Sequence, residues 1–193
     1  MTSILEEHGI KHSRSQELID FAYTFAKHAH GEQKRKYTGE PYINHPVAVA
    51  KIVASVTEDI DMICAALLHD VIEDTPYQYY DINLKFGLRT AQMVLGLTEF
   101  SIKEDGNRFI RKELDRRYLS RQEPNVQTIK TADMIHNAED IMQHDPNFAK
   151  VYLNEMRRLL QVMNRGNKEL YAKASEIVER GLMEYEIEIK EKH

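Results

Sequence analysis

The chain has no tryptophan, one cysteine, five prolines and eight glycines among 193 residues. A single thiol, Cys64, excludes an intrachain disulfide and fits a reducing compartment. It sits in the apolar run Met62-Ile63-Cys64-Ala65-Ala66-Leu67-Leu68 and reads as a small buried hydrophobe, not a nucleophile. No apolar run approaches the roughly 20 residues of a membrane span. The first residues, Met1 to Glu7, are acidic and lack the apolar core of a signal peptide. A cytoplasmic location, with no membrane partner, is therefore expected. Positive charge is in deficit: 26 Lys and Arg face 31 Asp and Glu, a net charge of -5. That balance excludes general polyanion binding, and no nucleic-acid partner is expected without a local basic patch. A phosphate-binding loop of the G-x-x-x-x-G-K-[ST] type is missing, which argues against NTP-driven chemistry. Low-complexity linkers and internal repeats are missing too, so residues 1–193 read as one domain.

Scarce breakers leave room for helices, and the apolar spacing is helical almost throughout. Ser13 and Gln16 form a capping-box signature before Leu18, Phe21, Ala22 and Phe25, and Gly31 ends that helix. Glu32 to His45 reads as a loop, with Pro46 opening a helix through Val56. Asp59 caps a helix expected to run unbroken to about Ile72. Short helices follow at Asp81 to Phe86, stopped by Gly87, and at Arg89 to Leu97. Longer ones are expected at Asn107 to Gln122, Pro124 to about His144, Phe148 to Met163 and Lys168 to Glu191. No segment alternates like a strand. The fold class is all-α, an irregular helical bundle.

One segment breaks the apolar pattern with chemistry. Leu67-Leu68-His69-Asp70-Val71-Ile72-Glu73-Asp74-Thr75 places a His-Asp pair and a Glu-Asp pair in an otherwise apolar stretch. On a continuous helix His69 and Glu73 share a face, as do Asp70 and Asp74. Four such groups are costly to bury unless they are paired or hold a metal. His45, where a loop enters a helix, and Asp133, which interrupts the apolar face of Ile129, Ala132 and Ile135, are further candidate ligands. Two imidazoles and two carboxylates with open positions suit Mn(II), Fe(II) or Co(II), and Zn(II) is compatible. Glu73 and Asp74 are placed to work on a water at that metal. His45 could otherwise be a capping histidine, and Asp133 a salt-bridged carboxylate. An anionic substrate needs a local cationic funnel on so acidic a chain. Lys34-Arg35-Lys36 can form one wall of it, and Arg108, Arg111 and Lys112 another, though such runs are often merely solvated.

Taken in order, His30-Gly31, Gly39-Glu40-Pro41-Tyr42-Ile43-Asn44-His45-Pro46, the His69-Asp70 to Thr75 box, Phe86-Gly87 and Ile129-Lys130-Thr131-Ala132-Asp133-Met134-Ile135-His136-Asn137 resemble the hydrolase domain of RelA/SpoT proteins. They also resemble its stand-alone relatives, the small alarmone hydrolases of the HD superfamily. The resemblance covers about Ser15 to Asn164. It implies a helical HD-type phosphohydrolase that removes the 3′-pyrophosphate of ppGpp or pppGpp with a divalent metal, usually Mn(II). No synthetase domain is expected after it. By position, His45, His69, Asp70 and Asp133 match the family's metal ligands. Glu73 and Asp74 match the pair that acts on the attacking water, and Asn137 a residue near the nucleoside. Lys34, Arg35 and Lys36 match the segment against guanine and phosphates, with either Arg35 or Lys36 at the base. Glu139 stands where many members carry arginine, and Leu97-Thr98-Glu99-Phe100-Ser101 departs from the usual text. Those departures keep open another nucleotide, or the 2′-phosphate of NADPH, as substrate, and a non-catalytic nucleotide-binding regulator as a different class. The oligomeric state is not legible.

Overall fold

A computed structural model describes the backbone of residues 14–191. Ser13, half of the expected capping box, lies outside the described residues. The described chain is helical, as its periodicity predicts, and has no strand beyond an isolated antiparallel bridge between Lys34 and Pro41. It divides into two compact units, one up to Thr98 and one from Glu99 onward. No described helix is long and apolar enough to cross a membrane.

The first unit holds α1 (Arg14–His30), α2 (Asn44–Ala54), α3 (Ile60–Leu68), α4 (Val71–Asp74), α5 (Tyr79–Phe86) and α6 (Leu88–Leu97). α3 is its axis and packs against α1, α2 and α6. Every residue of α3 from Met62 to Leu68 is buried, which is what a helix apolar on all sides requires. Asp59 caps it as expected, accepting from the amides of Asp61 at 3.1 Å and Met62 at 3.3 Å. α1 turns Ile19, Ala22, Phe25 and Ala26 inward, while Phe21, expected on that face, is 44% exposed. Gly31 ends α1 with φ of +50°, a conformation that an L side chain resists. α5 starts two residues before Asp81, whose carboxylate receives the Gln78 amide at 2.8 Å.

The expectation of an unbroken helix from Asp59 to about Ile72 is corrected. α3 stops at Leu68, His69 and Asp70 form a turn, and α4 restarts at Val71. The His69 side chain bonds back to a carbonyl of the last turn, and Asp70 takes φ −93° and ψ −3°. That lies in the sparsely populated bridge region, where active-site residues often sit. α2 likewise begins at Asn44, ahead of Pro46.

The second unit holds a 3₁₀ turn (Lys103–Asp105), α7 (Arg108–Leu119), α8 (Pro124–His144), α9 (Pro146–Leu160) and α10 (Lys168–Glu191). α8 packs against α9 and α10. Pro124 opens α8 at its first position, as expected. Asp145 caps α9, which therefore starts two residues before Phe148. Gly181 of α10 lies so close to its neighbours that an added Cβ would sit 2.7 Å from Leu153 of α9.

Candidate functional site

In the first unit, the turn that breaks the apolar helix carries the site. His69 Nδ1 lies 2.7 Å from the Ala66 carbonyl oxygen. A carbonyl only accepts, so Nδ1 donates and Nε2 presents a lone pair. That Nε2 is 3.2 Å from His45 Nε2 and 3.1 Å from Asp70 Oδ2. The third side of the triangle, His45 Nε2 to Asp70 Oδ2, is 3.5 Å. Two donors about 2.1 Å from one ion stand about 3.0 Å apart at a right angle and about 3.4 Å apart at the tetrahedral angle. Both imidazoles are buried and the carboxylate is half-buried. Donor chemistry and spacing thus fit a divalent ion, and His45, His69 and Asp70 are the residues that can hold it.

Residues not assigned a role in the site from the sequence brace this triangle. The Tyr42 hydroxyl donates to Asp70 Oδ2 at 2.6 Å. Its ring lies 4.7 Å from that of His30 and 5.8 Å from that of His45. Gln33 Nε2 donates to Asp74 Oδ2 at 3.1 Å, across 41 residues of chain. A carboxylate only accepts, so Asp74 sets the amide's orientation and turns Gln33 Oε1 toward His30 Nδ1, 2.9 Å away. His30, Gln33 and Asp74 therefore form one hydrogen-bonded chain. Glu73 is exposed on the same short helix. The loop expected over Glu32 to His45 ends where α2 begins at Asn44, and it is pinned by paired backbone: Arg35 N to Glu40 O and Tyr42 N to Gln33 O, both 2.9 Å. Lys34, Arg35 and Lys36 belong to this excursion, just ahead of Tyr42 and His45. Lys34 and Lys36 are exposed and Arg35 is half-buried. Lys36 Nζ also meets the Tyr37 hydroxyl at 3.1 Å. Cys64 is buried, and burial pushes its thiol up to about 12, so it is no nucleophile.

In the second unit, Asp133 and Asn137 sit one turn apart on α8, and Asp133 is 5% exposed. Asn137 Nδ2 donates to Asp133 Oδ1 at 2.6 Å and Lys130 Nζ to Oδ2 at 2.9 Å. Both oxygens of the carboxylate are thus oriented. These residues line a cavity of about 700 Å³ with Lys112 and Arg108 on α7 and Tyr152 on α9; Arg111 does not line it. Lys112 is held by Glu99, and Arg108 forks onto Glu155 with two bonds of 2.8 Å. Burial pushes the Glu99 carboxyl up, but Lys130 and Lys112 outweigh it, so it sits below the ordinary range. Burial likewise opposes the Lys130 charge, and Asp133 and Glu99 more than restore it. Burial, with Asp133 next, holds the Tyr152 phenol neutral. Of the expected residues, the structure thus groups His45, His69, Asp70 and Asp74 in one unit. It groups Asp133, Asn137 and Lys112 in the other.

A family model described as an HD domain matches residues 22–163, which include His45, His69, Asp70 and Asp133. The chain belongs to the HD-domain family. It is 41% identical over 128 residues to a guanosine-3′,5′-bis(diphosphate) 3′-pyrophosphohydrolase of Aquifex aeolicus, covering 65% of this chain and 18% of the relative. It is 43% identical over 119 residues to the bifunctional (p)ppGpp synthase/hydrolase SpoT of Escherichia coli, covering 60% of this chain and 17% of the relative. The chain thus spans less than a fifth of these curated relatives. A solved structure titled as a metazoan ortholog of SpoT that hydrolyzes ppGpp superposes with a TM-score of 0.78 at 26% identity. That match covers 90% of this HD-domain chain and 99% of the other.

Proposed function

We propose that this HD-domain chain is a metal-dependent (p)ppGpp 3′-pyrophosphohydrolase. Water attacks the 3′-pyrophosphate, the bond to the ribose side breaks, and ppGpp gives GDP and pyrophosphate (pppGpp gives GTP). The observation that carries the reading is the His45, His69 and Asp70 triangle, with sides of 3.2, 3.1 and 3.5 Å, inside an HD-domain match. Relatives named for this reaction support the substrate.

Asp133 is proposed as the fourth ligand, its carboxylate aimed by Lys130 and Asn137. Two imidazoles and two carboxylates suit Mn(II), Fe(II) or Co(II), with Zn(II) compatible, and the resemblance to alarmone hydrolases favours Mn(II). Such an ion polarises a phosphoryl oxygen and lowers the pKa of a water beside it. Asp74, steadied by Gln33, and Glu73 take or orient the proton of the attacking water. Asn137, one turn from Asp133 on α8, is the residue proposed to meet a ribose hydroxyl. Arg35 or Lys36 stacks on guanine and Lys34 faces phosphate, while Lys112, held by Glu99, contributes less to phosphate binding than its place in the sequence suggests. The family match runs past the boundary at Glu99, which supports reading residues 1–193 as one domain. A cytoplasmic location goes with this reading, supported by the single cysteine and the highly charged substrate.

The test is a metal-supplemented panel of ppGpp, pppGpp, NADPH and common nucleotides, with products identified. The reading predicts pyrophosphate from ppGpp and pppGpp alone. Orthophosphate from NADPH, with both alarmones inert, would overturn the substrate and leave the metal triangle in place.

A further inference from the structure

We propose that Lys150 and Arg158 of α9 receive phosphate groups of the substrate in the second unit's cavity. This rests on the nucleotide polyphosphate reading above and adds where the anion is bound. Six cationic side chains line the cavity: Arg108, Lys112, Arg116, Lys130, Lys150 and Arg158. Four of them are already matched by carboxylates. Arg108 forks onto Glu155, Lys112 is held by Glu99, Arg116 forks onto Glu113, and Lys130 bonds Asp133. Each of those four carboxylates also lines the cavity. An anion approaching the matched cations meets these carboxylates too, and the like-charge repulsion cancels much of the gain.

Lys150 and Arg158 differ. Among the described residues neither has a carboxylate within ion-pair distance. The Arg158 guanidinium lies 5.5 Å above the centre of the Phe109 ring. A ring contact does not answer the guanidinium's charge as a carboxylate does, so its N–H groups can still meet a bidentate acceptor such as phosphate. Phe109, 64% exposed, shields one side of that contact from water without competing for hydrogen bonds. The two cations are eight residues apart, roughly 12 Å along the helix axis. They therefore offer two separate points rather than one clamp. A nucleotide phosphorylated at two positions can meet both, while a single phosphate meets one. Asp133 and Asn137 line the same cavity, so α9 can anchor phosphate not undergoing reaction while the reacting end lies by α8.

The test uses the full chain and the double variant Lys150→Gln/Arg158→Gln. Arg157→Gln serves as control, since Arg157 is a cation of the same helix that does not line the cavity. Calorimetry with tripolyphosphate and steady-state hydrolysis of ppGpp are both measured. The double variant should lose about tenfold or more in tripolyphosphate affinity and raise the KM for ppGpp by a similar factor. Its kcat should stay within about twofold, since no proposed ligand or proton-handling group is touched. The Arg157 control should behave as wild type. Unchanged tripolyphosphate affinity and KM in the double variant, with ppGpp still hydrolysed, overturn the anion site alone. Tripolyphosphate binding that depends on Lys150 and Arg158 in a protein inert to ppGpp supports the site and overturns the substrate reading.

Discussion

Asp70 makes more contacts than its place in a His-Asp pair requires. Its Oδ2 atom faces both imidazoles and also takes the Tyr42 hydroxyl at 2.6 Å. His69→Ala and Asp70→Ala should each abolish hydrolysis and metal retention, read by turnover and by metal content after desalting. Full metal content in either variant contradicts the ligand assignment. Tyr42→Phe removes only the hydroxyl, so metal should still bind, with affinity lowered about tenfold or more. Gln33→Ala acts on a different atom. It frees Asp74 from its amide and should lower kcat while leaving metal content intact. Asp74→Asn should do the same more severely. If Gln33→Ala raised only KM, Gln33 would belong to substrate binding instead. The sequence marks His69, Asp70, Glu73 and Asp74 because they interrupt an apolar run. It gives no such mark to Gln33, whose partner is 41 residues away, nor to His30, whose partner becomes evident only once the loop is folded.

At the scale of elements, α3 was legible in its cap and its composition, and not in its end. Apolar spacing continues through Val71 and Ile72, and periodicity alone cannot register a turn made by a side chain bonding to its own helix. The start of α3 does more than cap. Asp59 bonds the Arg89 guanidinium of α6, which also reaches Asp61 at 2.8 Å. Hydrogen bonding from Arg89 outweighs burial and holds the Asp59 carboxyl below its ordinary value of 3.8. A group depressed in the folded state stabilises fully above its unfolded pKa and loses that contribution as pH falls through the folded value. Asp59→Asn should therefore lower Tm at neutral pH, and the gap to wild type should close below about pH 4. Asp59→Ala, which also removes the cap, should cost about 1–2 kcal/mol in denaturant unfolding at neutral pH. A Tm gap independent of pH would show that the ion pair contributes little. Arg89 gave no signal in the sequence, because its value depends on which helices become neighbours.

For the molecule as a whole, the all-α class and the order of helices followed from few breakers, helical spacing and capping residues. The cavity did not, since it depends on how α7, α8 and α9 are arranged and on which charges they bring together. The balance of charge there also differs from the expectation of a cationic wall. Lys112 and Arg108 line the cavity, but Glu99 and Glu155 answer their charge. Net charge counts such pairs and cannot see them. The central claim is a water-driven, metal-dependent removal of pyrophosphate from the 3′ position of ppGpp. It is tested most directly by following ppGpp with ³¹P NMR in the presence of the purified chain, with Mn(II) and with chelator. The account predicts GDP and pyrophosphate appearing in equal amounts with Mn(II), and unchanged ppGpp with chelator. Orthophosphate as the first product, or ppGpp left intact by a metal-loaded protein, would contradict it.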